Sequence, residues 1–231
     1  VCTQCHNVNG RADFPSLRPA NYDSIEHHFH QQGTEAAACV SCHMPERVYM
    51  GIDGRRDHSF RKPRPDLSER TQAPNPCTDC HKSESAQWAA DAVRAHFGAP
   101  PADETVHFGV IFAPARDGQL NAESALAAIA QNPKQSDIVR ATALSLMARY
   151  QRQISSQALV AGLNSASALQ RIGAVRGAAR WSFAERWRRL RRLLQDPILA
   201  VRIEVTQGLL EGMSQLPVNQ RGHLGAAVDE Y

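Results

Sequence analysis

The chain has 231 residues, 26 Lys and Arg against 23 Asp and Glu, and a formal net charge of +3. Only 42% is hydrophobic and 6% aromatic, modest for one large core. No run of about 18 apolar residues occurs, which excludes a membrane-spanning helix, and the weak positive balance gives no basis for nucleic-acid binding.

The two halves differ in kind. Residues 1–115 hold all six cysteines, ten of the 13 prolines and every histidine except His223. Residues 119–213 are rich in Ala, Leu, Val and Arg instead. Two parts explain this contrast better than one mixed core.

In chain order, Cys2, Cys5 and His6 open a CxxCH motif that recurs at Cys39, Cys42 and His43 and again at Cys77, Cys80 and His81. This is the attachment signature of c-type haem. On one helical turn the two thiols and the imidazole share a face. The thiols can then form thioethers with two vinyl groups, and the imidazole reaches the iron as proximal ligand. CxxC pairs also build zinc ribbons and disulfides. Histidine is only 10 of 231 residues, and its place after all three pairs has a chance probability on the order of 0.0001. Three covalent haems are therefore expected. With one haem per 38 residues or so, haems replace side chains as the core, and the low aromatic content follows. Haem c is attached outside the bacterial cytoplasm, so a periplasmic or otherwise extracytoplasmic location is expected. A signal peptide and an N-terminal part are expected upstream of Val1.

Between the motifs, residues 23–31 predict a short helical turn. Residues 45–76 carry Pro45, Pro63, Pro65, Pro74 and Pro76, which leave little room for a helix after residue 62. A loop of that length needs a reason, and wrapping a haem supplies one. Its Arg55, Arg56, Arg61, Lys62 and Arg64 read first as a solvated surface and second as partners of haem propionates. Residues 84–97 predict a helix with Ser83 as N-cap and Gly98 as stop. Trp88, Ala92 and His96, with Ala89, Val93 and Phe97 beside them, form one apolar stripe.

Each iron needs a sixth ligand. His6, His43 and His81 are the proximal set. His58 is the first distal candidate, because no core helix explains it. The cluster at 27–30 offers His30 and His27, with His28 behind them, and His107 is a weaker third. His96 belongs to its helix stripe. Met44 cannot reach the iron of its neighbour His43 from the opposite side, and Met50 reads as packing.

From about 120 the pattern changes to paired helices. Segments 122–131, 156–163 and 184–195 alternate with 137–151, 168–181 and 198–212. Arg140, Arg171 and Arg202 recur every 31 residues, followed at matching offsets by Ala143, Ala174 and Val205. A period near 31 with helix pairs indicates an α-solenoid. The run RWRRLRR at 186–192 reads as a solvated amphipathic face, with an anionic docking site as the sharper alternative. The expected fold is thus mainly α. A loop-rich multihaem cytochrome c domain (1–115) precedes HEAT-like helix pairs (119–213), and a linker or the start of further repeats (214–231) follows.

The stretches HHFHQQG, CVSCHMP, YMGIDGRRDHSF, PRPDLS, PNPCTDCH and SAQWAADAV resemble a family of bacterial multihaem c-type cytochromes. Its members look like fusions of a cytochrome c-554-like haem domain with HEAT-like and then tetratricopeptide repeats. The resemblance covers most of residues 1–213. It implies further haems upstream, tetratricopeptide repeats after Tyr231, and ligand roles for His58 and histidines of HHFH.

The function expected is extracytoplasmic electron transfer through three haems, with redox partner proteins and a protein partner docked on the helical repeats. The alternative is a multihaem oxidoreductase acting on a small nitrogen or sulfur compound. A third reading makes the repeats a scaffold and the haems redox sensors.

Overall fold

The computed structural model describes residues 2–98 and 106–230, and it divides into two compact units at Ala102 and Asp103. Helix accounts for 61% and strand for 4%, so the chain is mainly α.

The first unit strings short elements together. A 3-10 turn at Cys2–Gln4 is followed by α1 (Ile25–His28), a 3-10 turn at Glu35–Ala37 and α2 (Cys39–His43). Strands β1 (Glu46–Tyr49) and β2 (Asp53–Arg56) form an antiparallel hairpin, Glu46 opposite Arg56 and Tyr49 opposite Asp53. Its tip turns through Met50 and Gly51, both left-handed at φ 52° and 76°. Then come α3 (Pro65–Thr71), α4 (Pro76–Cys80) and α5 (Ala86–Phe97).

The proline-limited stretch is therefore not structureless. Pro65 and Pro76 each sit at the start of a helix, where a missing N–H costs nothing and the fixed φ suits the helix. Pro74 falls beyond the left-handed Gln72 that ends α3. The N-cap of α5 is Ser85 rather than Ser83, its hydroxyl accepting from the Trp88 amide at 3.0 Å. Only the Ala89 and Ala90 edge of α5 is buried, and this helix packs against α3.

The first described element of the second unit is α6 (Phe108–Arg116), a helix that the sequence did not predict and that carries Pro114 within it. The helix survives because Phe112 and Ala115 are buried in this unit's core. The boundary thus lies before α6 and not at 115. Next are α7 (Ala122–Gln131), α8 (Asp137–Leu146), α9 (Gln153–Leu163), α10 (Ala168–Gly177), α11 (Phe183–Leu190), α12 (Leu199–Leu210) and α13 (Val218–Glu230). Helix α13 occupies the stretch expected as a linker or a further repeat. It places Leu224 in the core and packs on α12.

Helix α8 packs on α10 and α10 on α12, while α7 lies against α8 and α9. The α8–α10 approach is close. A Cβ at Gly173 would overlap the carbonyl of Ala141, and one at Gly177 the carbonyl of Leu144. The arginine period now has a cause. Arg140, Arg171 and Arg202 are each the fourth residue of α8, α10 and α12, and each guanidinium donates to carbonyls at or just beyond the end of the preceding helical segment. Arg140 reaches Ala130 at 2.9 Å, Arg171 reaches Ser165 and Ala166 at 2.9 Å each, and Arg202 reaches Asp196 at 2.7 Å. Arg221, fourth in α13, repeats the contact on Leu216 at 2.9 Å. Carbonyls at and just after a helix end lack intrahelical partners, so these clasps satisfy a recurring need.

Arg171 also forms a buried two-pronged ion pair with Asp196 at 2.7 and 2.9 Å. Burial pushes the Asp196 carboxyl up. Bonds from Arg171 and from the Ile198 amide outweigh that and hold it below the usual carboxylate range. In the RWRRLRR run, Trp187, Leu190, Leu193 and Leu194 are buried. Arg188 and Arg189 pair with Glu185, Arg186 reaches the Gly208 carbonyl, and Arg192 reaches the Leu163 carbonyl. The run is an amphipathic face whose arginines largely serve the fold.

Candidate haem centre

All three CxxCH motifs lie on single helical turns. In the first, the His6 amide donates to the Cys2 carbonyl at 2.9 Å. Helix α2 is the second motif itself. Helix α4 carries the third, and the His81 amide donates to the Cys77 carbonyl at 2.9 Å. Asn75 caps α4 by accepting from the Thr78 amide at 3.1 Å, and donates to the Ser68 hydroxyl at 3.2 Å. Helix α3 thereby holds the third motif in place.

None of the six cysteines is in a disulfide. Burial first, then the neighbouring Cys2, pushes the Cys39 thiol up. Burial, then Cys77, Cys80 and Cys39, does the same to Cys42. The second motif thus lies near both others, Cys39 on the side of the first and Cys42 on the side of the third, and α2 packs against α4. Arg47 on β1 ties the hairpin to the third motif by an ion pair with Asp79 at 2.7 Å.

Two distal candidates stand opposite proximal histidines. The ring centroids of His27 and His43 are 6.2 Å apart with planes 8° from parallel. Those of His30 and His81 are 6.1 Å apart at 38°. Two imidazoles on opposite sides of one metal ion, each bonded at about 2 Å, have centroids about 6 Å apart. The His30 Nδ1 bonds the His28 carbonyl, and the His43 Nδ1 bonds the Arg61 carbonyl at 3.0 Å. A carbonyl only accepts, so Nδ1 carries the proton and Nε2 keeps a lone pair. This is the second-sphere arrangement typical of ligating histidines. Burial first, then His43 and His28, pushes the His27 imidazole below its ordinary value.

Aromatic side chains surround these pairs. Tyr22 lies edge-on to His6 at 5.6 Å and to His27 at 5.2 Å. From α5, Phe97 meets His27 at 5.9 Å, His96 stacks on Phe29 at 3.6 Å, and Trp88 sits 4.9 Å from His81. The predicted apolar stripe of α5 thus faces the histidines with its rings and the protein with its alanines. Tyr22 carried no signal in the sequence.

The remaining candidates are placed differently. His58 is exposed, its Nδ1 bonded to the Arg56 carbonyl at 2.8 Å and its ring 6.3 Å from Phe60. Its loop does turn back on the second motif, but the contact is Arg61's carbonyl on His43. His107 lies in the second unit, where its Nδ1 accepts from the Gly109 amide at 3.1 Å and caps α6. His28 bonds Gln32 at 3.2 Å. Around the hairpin, Arg55 pairs with Asp53, Arg56 with Glu46 and Arg64 with Asp66. Among the described residues, no group of three or more His, Cys, Asp or Glu assembles as a bare-metal site. A haem asks less of the protein, since the macrocycle supplies four nitrogens and the chain two.

The donor chemistry fits haem, and so does the packing. Among the described residues, the buried hydrophobics of the first unit are only Ala37, Ala89 and Ala90. Phe14, Phe29, Val48, Tyr49, Met50, Ile52, Phe60, Trp88 and Phe97 are all exposed. A unit of this length needs a core or a substitute for one. Comparisons with known protein families, with curated proteins and with solved structures found no match.

Proposed function

We propose that the chain is an extracytoplasmic electron-transfer protein carrying three c-type haems in its first unit. The observation that carries this reading is a unit with three cysteine–histidine turns whose described residues bury no large apolar side chain. The residues that hold the groups are Cys2, Cys5 and His6; Cys39, Cys42 and His43; Cys77, Cys80 and His81. When bound, haem supplies one-electron chemistry. The chain's own part would be to fix the imidazoles, to offer His27 and His30 as second ligands to two of the three groups, and to shield the rings with Tyr22, Phe97 and Trp88. Histidine in both roles would leave no place for substrate at those two groups and suits electron transfer over turnover.

The second unit reads as an α-solenoid of HEAT-like pairs that docks a redox partner. Its support is the repeated arginine clasp and the stacking of α8, α10 and α12. The resemblance to multihaem cytochromes fused to helical repeats agrees with both halves.

Electron paramagnetic resonance and optical spectra of the ferric protein test the proposal. Low-spin six-coordinate haem is expected at the two sites that His27 and His30 would close. A high-spin population larger than one haem in three in the unmodified protein would contradict it.

A further inference from the structure

We infer that the His27–His30 segment ligates two different irons, His27 opposite His43 at the second haem and His30 opposite His81 at the third. The inference rests on the haem reading above and assigns each imidazole of the cluster a separate task.

Residues three apart on a continuous helix share a face and would serve one site. Here the helix does not continue. Helix α1 stops at His28, and Phe29 takes a left-handed conformation at φ 57°. That conformation is uncommon outside glycine, and in a bulky residue it is kept only where surroundings enforce it. The enforcement is visible, with Phe29 stacked on His96 at 3.6 Å and edge-on to Phe97 at 5.6 Å. The kink sends His27 and His30 apart, each to a different CxxCH histidine.

Ordinary ring packing also spans about 4.5–7 Å, so one such pair would mean little. Two pairs share the same spacing, each joins a proximal histidine to this cluster, and neither uses the same proximal histidine. His28 falls between them and works for its neighbour. Its carbonyl accepts from the His30 ring, and its own Nδ1 accepts from the His30 amide at 3.2 Å. It is a positioning residue. The consequence is a clamp, because one short segment closes two sites and holds the second and third haems beside each other.

The test uses the full chain matured with its haems, with haem content checked by pyridine haemochrome in every variant. His27→Ala is expected to turn one haem high-spin, His30→Ala one haem, and the double variant two. His28→Ala is expected to leave both sites low-spin or to weaken only the site of His30. His27→Met and His30→Met should each raise the potential of one haem, since methionine ligation raises it, which a packing role would not do. Combining His27→Ala with His43→Met should perturb one haem, and with His81→Met two. A double alanine variant with only one high-spin haem, or reversed counts in the last pair, would overturn the assignment. Unmodified protein without covalent haem would instead overturn the reading beneath it.

Discussion

The two units bury their side chains in opposite ways. The second keeps Leu126, Leu144, Met147, Leu159, Leu190, Val201, Val205 and Leu209 almost wholly out of water. The first, about four-fifths as long, buries three alanines and no large apolar side chain among its described residues. Burial of a Leu or Phe side chain contributes about 1.5–3 kcal/mol. The second unit therefore has its folding force within the chain, and the described residues of the first bury far less. The first also concentrates all six thiols and the paired imidazoles. The contrast teaches that the second unit is organised around its own side chains, and it is what motivates the proposal of a haem core for the first.

The largest expected effect breaks the comparison outright. Full-length chain made without haem attachment should lose protection across 2–98 while 106–230 stays folded. Hydrogen exchange on the intact chain reads this, and equal protection in both units would count against a haem core. The next effect lies in the second unit alone. Arg171→Leu leaves Asp196 buried without its partner and should cost about 3–5 kcal/mol, measured by chemical denaturation, with haem spectra unchanged. In the first unit, Asn75→Ala removes the cap of α4 and should cost about 1 kcal/mol. Its trace should be a local one, faster exchange at the Thr78 amide.

The smallest effect is on pH. The folded carboxyl of Asp196 lies below its ordinary value, so its contribution is complete above the unfolded value of about 3.9. It fades as pH falls through the folded value. Acid unfolding followed by circular dichroism should therefore show a less steep acid limb for Arg171→Leu than for the unmodified chain.

Local features of this molecule were legible in the sequence, and tertiary ones were not. The CxxCH spacing dictates a helical turn, and all three motifs form one. The helix predicted over 122–131 is α7 residue for residue, because its apolar positions and its stop at Asn132-Pro133 are both local. The arginine period was visible, but its cause was not, since carbonyl clasps depend on where the preceding helix ends. The prolines of 63–76 misled. Pro65 begins α3 and Pro76 begins α4, and only the surrounding fold distinguishes that role from helix breaking. The hairpin at 46–56 gave no strong alternation to read. His27 and His30 could be named as ligand candidates from composition, yet their opposite partners depend on the kink at Phe29. His58 looked better in the sequence because no core helix explained it. In the fold it is the carbonyl of Arg61 that reaches the second motif.

The most direct measurement is the intact mass, under denaturing conditions, of residues 1–231 produced in a host that attaches haem c. The account predicts an excess equal to three haems that survives unfolding and is lost when the six cysteines are replaced. A mass equal to the bare polypeptide, or an excess of any number of haems other than three, would contradict it.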